Sequence, residues 1–195
     1  SWTNTTPSIG LAGNGTGNIP TFSAINATAI PIVANITVTP IYFNNGLSCA
    51  GASEAIAITV NPTPTVAAPQ NRVVCNGLQT TQVNFVGTGT SYSWTNSNTT
   101  IGLAASGTGN ILPFTAINTG TVPEVATIIV IPTFSNGGLN CDGAPITFTI
   151  TINPSPIVTA TSNPLDGLIC AGSNITLNGG GANTYTWSGN VTNGI

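Results

Sequence analysis

The sequence predicts an all-β protein made of antiparallel β-sandwiches in tandem. Three observations predict it. Strand-like segments of β-branched residues alternating with Thr or Ser recur along the chain, as at residues 146–152. Clusters of Gly, Asn and Pro punctuate them, and no segment carries an apolar stripe of helical period. The chain also repeats itself. At a shift of 92 residues, positions 9–66 and 101–158 are identical at 31 of 58 places without a gap.

The repeat sets the domain boundaries. The stretch IGLAGNGTGNI at 9–19 returns as IGLAASGTGNI at 101–111, Cys49 falls on Cys141, and Trp2 falls on Trp94. A third copy opens after Pro156, where Cys170 answers Cys75 and TYTW at 184–187 answers SYSW at 91–94. Residues 1–64 are therefore the later part of a first module, 65–156 a complete second module, and 157–195 the opening of a third. A period of 92 is too long for a solenoid turn and fits a string of small domains. The chain starts in mid-pattern at Ser1 and Trp2, as a piece of something longer or a processed chain would.

Within the complete module the strands follow in order. Residues 73–75 form a short one. Residues 80–86 alternate, with Val83 and Phe85 on one face. Residues 91–94 alternate aromatic with Ser. Residues 111–117 and 125–131 are apolar and β-branched, the latter enough for a central strand. Residues 146–152 place Ile and Phe on one face and Thr on the other. About seven short strands with regular turn signals argue for an immunoglobulin-like sandwich. One Trp per module at fixed phase (Trp2, Trp94, Trp187) reads as a core residue on the third strand.

Each module ends in the same phrase, ITVNPTPTV at 58–66 and ITINPSPIV at 150–158. Proline lacks a donor N–H and fixes its own φ, so a strand ladder stops there. The joints Asn61, Pro62, Pro64 and Asn153, Pro154, Pro156 are thus expected to be short and stiff.

Composition excludes several function classes. Charged residues are 3% of the chain: Arg72, Glu54, Glu124, Asp142 and Asp166, with no His, Lys or Met. One arginine cannot make a nucleic-acid surface. Without His or Lys, and with no carboxylate recurring at equivalent positions, no catalytic residues are expected. No cofactor site and no metal site is expected either: Cys-x-x-Cys is missing, and Asp142 and Asp166 alone do not make a calcium site. No apolar run approaches the ~20 residues of a transmembrane segment. A surface of hydroxyls and amides repels its neighbours weakly, which favours contact with neighbouring repeats and lateral self-association. Seven sequons, at Asn4, Asn14, Asn26, Asn35, Asn98, Asn174 and Asn190, would allow glycan cover, although a chain this rich in Asn and Thr generates several by chance.

The ordered landmarks VCNG, SYSW, GTGN, GGLNCDG and NPSP resemble the PKD-like, immunoglobulin-like repeats of very large surface proteins and adhesins of gliding-type bacteria. Asn140 departs from the pattern, standing where Gly usually precedes the late Cys. The resemblance implies an extracellular, cell-surface-attached or filamentous setting, export by the type IX pathway, and a role as spacer, stalk or adhesive array. A glycan or cell-surface ligand bound by loops is the alternative, and exposed aromatics such as Tyr42 and Phe43 would favour it. An extracellular setting makes Cys49, Cys75, Cys141 and Cys170 disulfide candidates. Two connectivities stay open: Cys75 with Cys141 inside one module, or a bond between modules.

Overall fold

A computed structural model describes residues 1–188. Among them there is no α-helix, only strands, turns and two three-residue 3-10 turns, at Pro7–Ile9 and Thr99–Ile101. The strands of the first segment are β1 (Trp2–Asn4), β2 (Asn14–Gly15), β3 (Ile32–Val38), β4 (Ile41–Asn44), β5 (Leu47–Ala50) and β6 (Glu54–Val60). Residues 65–156 hold β7 (Arg72–Cys75), β8 (Ser91–Asn96), β9 (Ser106–Thr108), β10 (Glu124–Asn136), β11 (Leu139–Asp142) and β12 (Ile146–Asn153). Beyond them lie β13 (Thr159–Asn163) and β14 (Thr176–Gly180), paired antiparallel.

The main sheet of the central sandwich runs β7-β12-β10-β8-β9, with β11 folded back on β10. All its pairs are antiparallel except β7 with β12, which are parallel. The 13-residue β10 is its spine, flanked by β12 and β8. Alternation along β10 and β12 sends Ala126, Ile128, Val130, Phe148, Ile150 and Ile152 into the core. The outer face stays wet, so Val125 and Ile129 are exposed; β10 is central in the sheet but not covered on both sides.

The opposing layer is looser than the alternation at 80–86 and 111–117 suggests. These segments are extended but form no continuous ladder: they meet at the bridges Gln79 with Thr115 and Val83 with Ile111 and through a few backbone bonds such as Thr80 N–H to the Phe114 carbonyl, while Val66 bridges Gly87. Side chains add to these bonds. The Thr80 Oγ1 accepts the Phe114 N–H at 3.0 Å, and Asn110 Oδ1 accepts the Phe85 N–H at 2.9 Å. Pro113, between them, has no N–H to give. Val66, Val83, Phe85 and Ile111 from this layer close over the main sheet, with the Phe85 and Phe148 rings 6.5 Å apart, edge to face.

The first segment repeats the main sheet as β2-β1-β3-β6. Its registers reproduce those of the centre: Ile36 opposite Ile56 answers Ile128 opposite Phe148, and Trp2 opposite Gly15 answers Trp94 opposite Gly107. One difference is that β10 has become two strands, β3 and β4, interrupted at Thr39 and Pro40. In the centre, β8 extends to Ser91 and pairs with Thr133, carrying the sheet past Pro132. In the first segment β1 pairs with β2 and β3, and β4 pairs with β5.

Candidate functional site

The sequence singles out three residue sets: tryptophans, joint prolines and cysteines. Trp2 and Trp94 are buried, as a core role requires. Each indole lies across the glycine opposite it. A Cβ on Gly107 would sit 2.3 Å from Trp94 Cζ2, and one on Gly15 equally close to Trp2 Cζ2. The repeated Trp–Gly pair is therefore a steric unit. Its cost is a buried indole N–H with no partner in either copy. Trp187 differs. It is only half-buried, because the strands that cover Trp94 have no counterpart within residues 157–188.

The first joint is packed. Pro62 and Pro64 are both fully buried. Asn61 Oδ1 accepts from the Asn136 amide at 2.8 Å, which ties the tip of the β10–β11 hairpin to the end of β6. Gly143 lies directly on the Pro64 carbonyl, where a Cβ would come within 1.9 Å of the oxygen and 2.9 Å of Pro132. Thr65 accepts the Thr88 N–H at 3.0 Å, fixing the entry to the central sandwich. From the other side, the Asn26 amide donates to the carbonyls of Ile30 and Val60, both at 2.8 Å. Residues from both sides of the phrase thus hold the chain at Asn61 to Pro64.

The second joint carries the same phrase in a different environment. Asn118, the repeat equivalent of Asn26, donates to Val122 and Ile152 at 2.8 and 2.7 Å, so the upstream half is reproduced. The Asn118 N–H in turn donates to Asn76 Oδ1 at 2.8 Å. Downstream, Pro154 is half-buried and Pro156, Ile157 and Val158 are exposed. An open cleft of about 790 Å³ lies there, lined by Pro123, Pro154, Pro156 and Ala182 among others.

The four cysteines carry free thiols: Cys49, Cys75 and Cys170 are exposed and Cys141 is half-buried. Cys75 ends β7, opposite Asn153 of β12. Cys141 lies on β11 opposite Phe134. Ile152 pairs with Glu124, so the two cysteines stand some ten residues apart along β10, roughly 33 Å at ~3.3 Å per residue. A disulfide needs Cα atoms within about 6.8 Å. Pairing of Cys75 with Cys141 inside one module is therefore ruled out by the length of the sheet.

The ionisable groups are scattered. Glu124 accepts from Asn98 at 2.8 Å, Asp142 from Thr133 at 2.7 Å, and Arg72 donates to Thr81 and to the Gln82 carbonyl. Among the described residues, no three of His, Cys, Asp and Glu gather into a metal-binding group. No helix among them is long and apolar enough to cross a membrane. Three sequons serve the fold: Asn4 is buried with its amide donated to Leu11 and Ala12, Asn26 is spent as described, and Asn98 accepts from the Thr100 N–H and donates to Glu124. The Asn190 sequon lies outside the described residues.

Tyr42 is 71% exposed and Phe43 69%, on the β4–β5 hairpin. The repeat equivalent of Tyr42 is Phe134, which is half-buried on β10. The sequence assigns no structural role to Gly143 and Asn118, marks Asn26 only as a sequon, and marks Asn136 only as a turn residue. The signal for their packing role is identity between copies: Ala-Ile-Asn ends at both Asn26 and Asn118, Asn44 answers Asn136, and Gly51 answers Gly143.

No curated protein matches the chain. A family model for the PKD-like domain matches residues 72–156, the stretch that forms the central sandwich.

Proposed function

We propose that this chain is a stretch of a non-catalytic extracellular rod, a stalk or filament of a large surface protein. Its modules span 1–64, 65–156 and 157–195 and stack end to end. The PKD-like match supports a structural or adhesive immunoglobulin-like module. The observation that carries the rod is the first joint, where two buried prolines, a side-chain bond from Asn136 and the close seat of Gly143 pack the link between the first sheet and the central sandwich. Partners are accordingly neighbouring repeats of the same protein, with lateral self-association through charge-poor faces. Export by the type IX pathway of gliding-type bacteria follows from the resemblance of the landmarks. Such a rod holds its tip away from the cell, where a flexible linker would collapse toward it.

Small-angle scattering on a three-module chain tests this. The wild type is expected to be extended, and changing Pro62, Pro64, Pro154 and Pro156 to Gly should shorten its maximum dimension. A compact, freely bending wild type refutes the rod.

One observation favours a second reading, adhesion to a glycan or cell surface. Tyr42 and Phe43 present their rings to solvent. Phe134, the repeat equivalent of Tyr42, is half-buried, which weighs against it.

A further inference from the structure

The cysteines and the joints belong to one device. Cys75 stands at the end of the central sandwich from which the chain leaves. Its register partner is Asn153, the Asn76 N–H donates to the Asn153 carbonyl at 2.9 Å, and the Asn76 amide reaches Ser155 Oγ at 3.1 Å. Cys141 stands at the opposite end, on the hairpin whose tip residue Asn136 bonds to Asn61. Asn61 and Asn153 hold the same place in the repeat. By the repeat, the hairpin of one module would lean on the asparagine beside which the preceding module carries its early cysteine.

We propose that consecutive modules of this repeat are stapled by a disulfide between the early cysteine of one, at the place of Cys75, and the hairpin cysteine of the next, at the place of Cys141. The proposal rests on the end-to-end reading. Both thiols are at least partly accessible, as formation of the bond requires. Two thiols lose two protons and two electrons to an external oxidant, a thiol–disulfide oxidoreductase or dioxygen, and one S–S bond forms. The rule pairs Cys49 and Cys141 with early cysteines of a preceding module, and Cys75 and Cys170 with hairpin cysteines of a following one. No two of the four are partners of each other. The staple would carry tension past the prolines, so that pulling on the rod loads a covalent bond rather than the joint packing.

The central sandwich draws its core wholly from residues between Val66 and Ile152, so two head-to-tail copies of 65–156 make a sound test. The chain has one Arg and no Lys, so mapping uses chymotryptic digestion without reduction. After air oxidation, the expected product links the first copy's Cys75 peptide to the second copy's Cys141 peptide, with the other two thiols free. Cys75→Ser in the first copy should abolish the link, and Cys75→Ser in the second should leave it intact. Unchanged tryptophan emission in both variants shows that the sandwiches remain folded. A bond within one copy, or no bond in a tandem that scattering shows to be extended when reduced, overturns the staple and leaves the rod standing. A compact, freely bending reduced tandem overturns the rod and the staple with it.

Discussion

Residues 1–64 and 65–156 carry nearly the same pattern of side chains, and they differ in what covers them. On the outer face the copies agree: Val33 and Val125 are each 51% exposed. On the inner face they part. Val130 is fully buried while its equivalent Val38 is 39% exposed, and Phe148 is 3% exposed while its equivalent Ile56 is 59% exposed. The covering comes from Val66, Val83 and Phe85, whereas residues 1–64 answer only residues 93–156 of the repeat. Register, cross-strand pairing and the Asn networks are thus set locally by sequence within each half-sheet. Burial is set by strands far away in the chain. The two joints teach the same lesson. One Asn-Pro-x-Pro phrase is fully packed where hairpin and turn of a whole module close on it, and the other is open on the side where they do not.

The comparison is broken most severely at the tryptophans. Trp94→Ala removes the ring that fills the centre of the complete core and should cost roughly 3–5 kcal/mol, enough to unfold the sandwich. Trp2→Ala removes the same residue from a smaller cluster with an open side, which can collapse into the gap, so its cost should be clearly smaller. Amide exchange read separately on β10 and β3 distinguishes the two. Equal loss of protection in both copies would show that the open face does not relax.

Much of this was legible in the sequence. Period-2 alternation marks β12 and β8 directly, and the Gly and Asn cluster at 136–138 marks the β10–β11 turn, where Gly137 and Gly138 have φ of 58° and 81°. The opposing layer is less legible, because Thr80 and Asn110 add side-chain bonds that no periodicity announces. The joints show the limit most clearly. Pro62 and Pro64 declare a stop and a stiff link, but Gly143 and Asn136, which pack against that link, lie more than seventy residues onward. In a chain so rich in Asn, a buried structural asparagine looks like any surface amide until the two copies are laid side by side.

The asparagines sharpen the comparison at an intermediate scale. Asn118 is 3% exposed and its amide satisfies two carbonyls, so Asn118→Ala should cost about 1–3 kcal/mol by leaving them unpaired. Asn26 makes the matching bonds from a half-buried position where water can replace them. Asn26→Ala should therefore cost less, by urea unfolding monitored with far-UV circular dichroism. A larger loss at Asn26 would mean that the first joint, rather than burial, decides the value of this network.

The smallest effect separates the two hairpins. Asn136 and Asn44 are equivalent tip residues of the β10–β11 and β4–β5 hairpins. Asn136 reaches across the first joint to Asn61, whereas Asn44 has no side-chain bond among the described residues. The bond is solvent-exposed and neutral, so its net worth is at most about 0.5–1.5 kcal/mol, too little to change the stability of the sandwich. Its influence should be local. Asn136→Ala is expected to leave the unfolding midpoint of residues 65–156 in place while raising backbone mobility at Asn61 and Thr63, measured by NMR relaxation. Asn44→Ala should change neither. If the Asn136 variant leaves the joint as rigid as before, the buried prolines and the seat of Gly143 alone hold the first joint, and the hairpin tip adds only the position of Cys141.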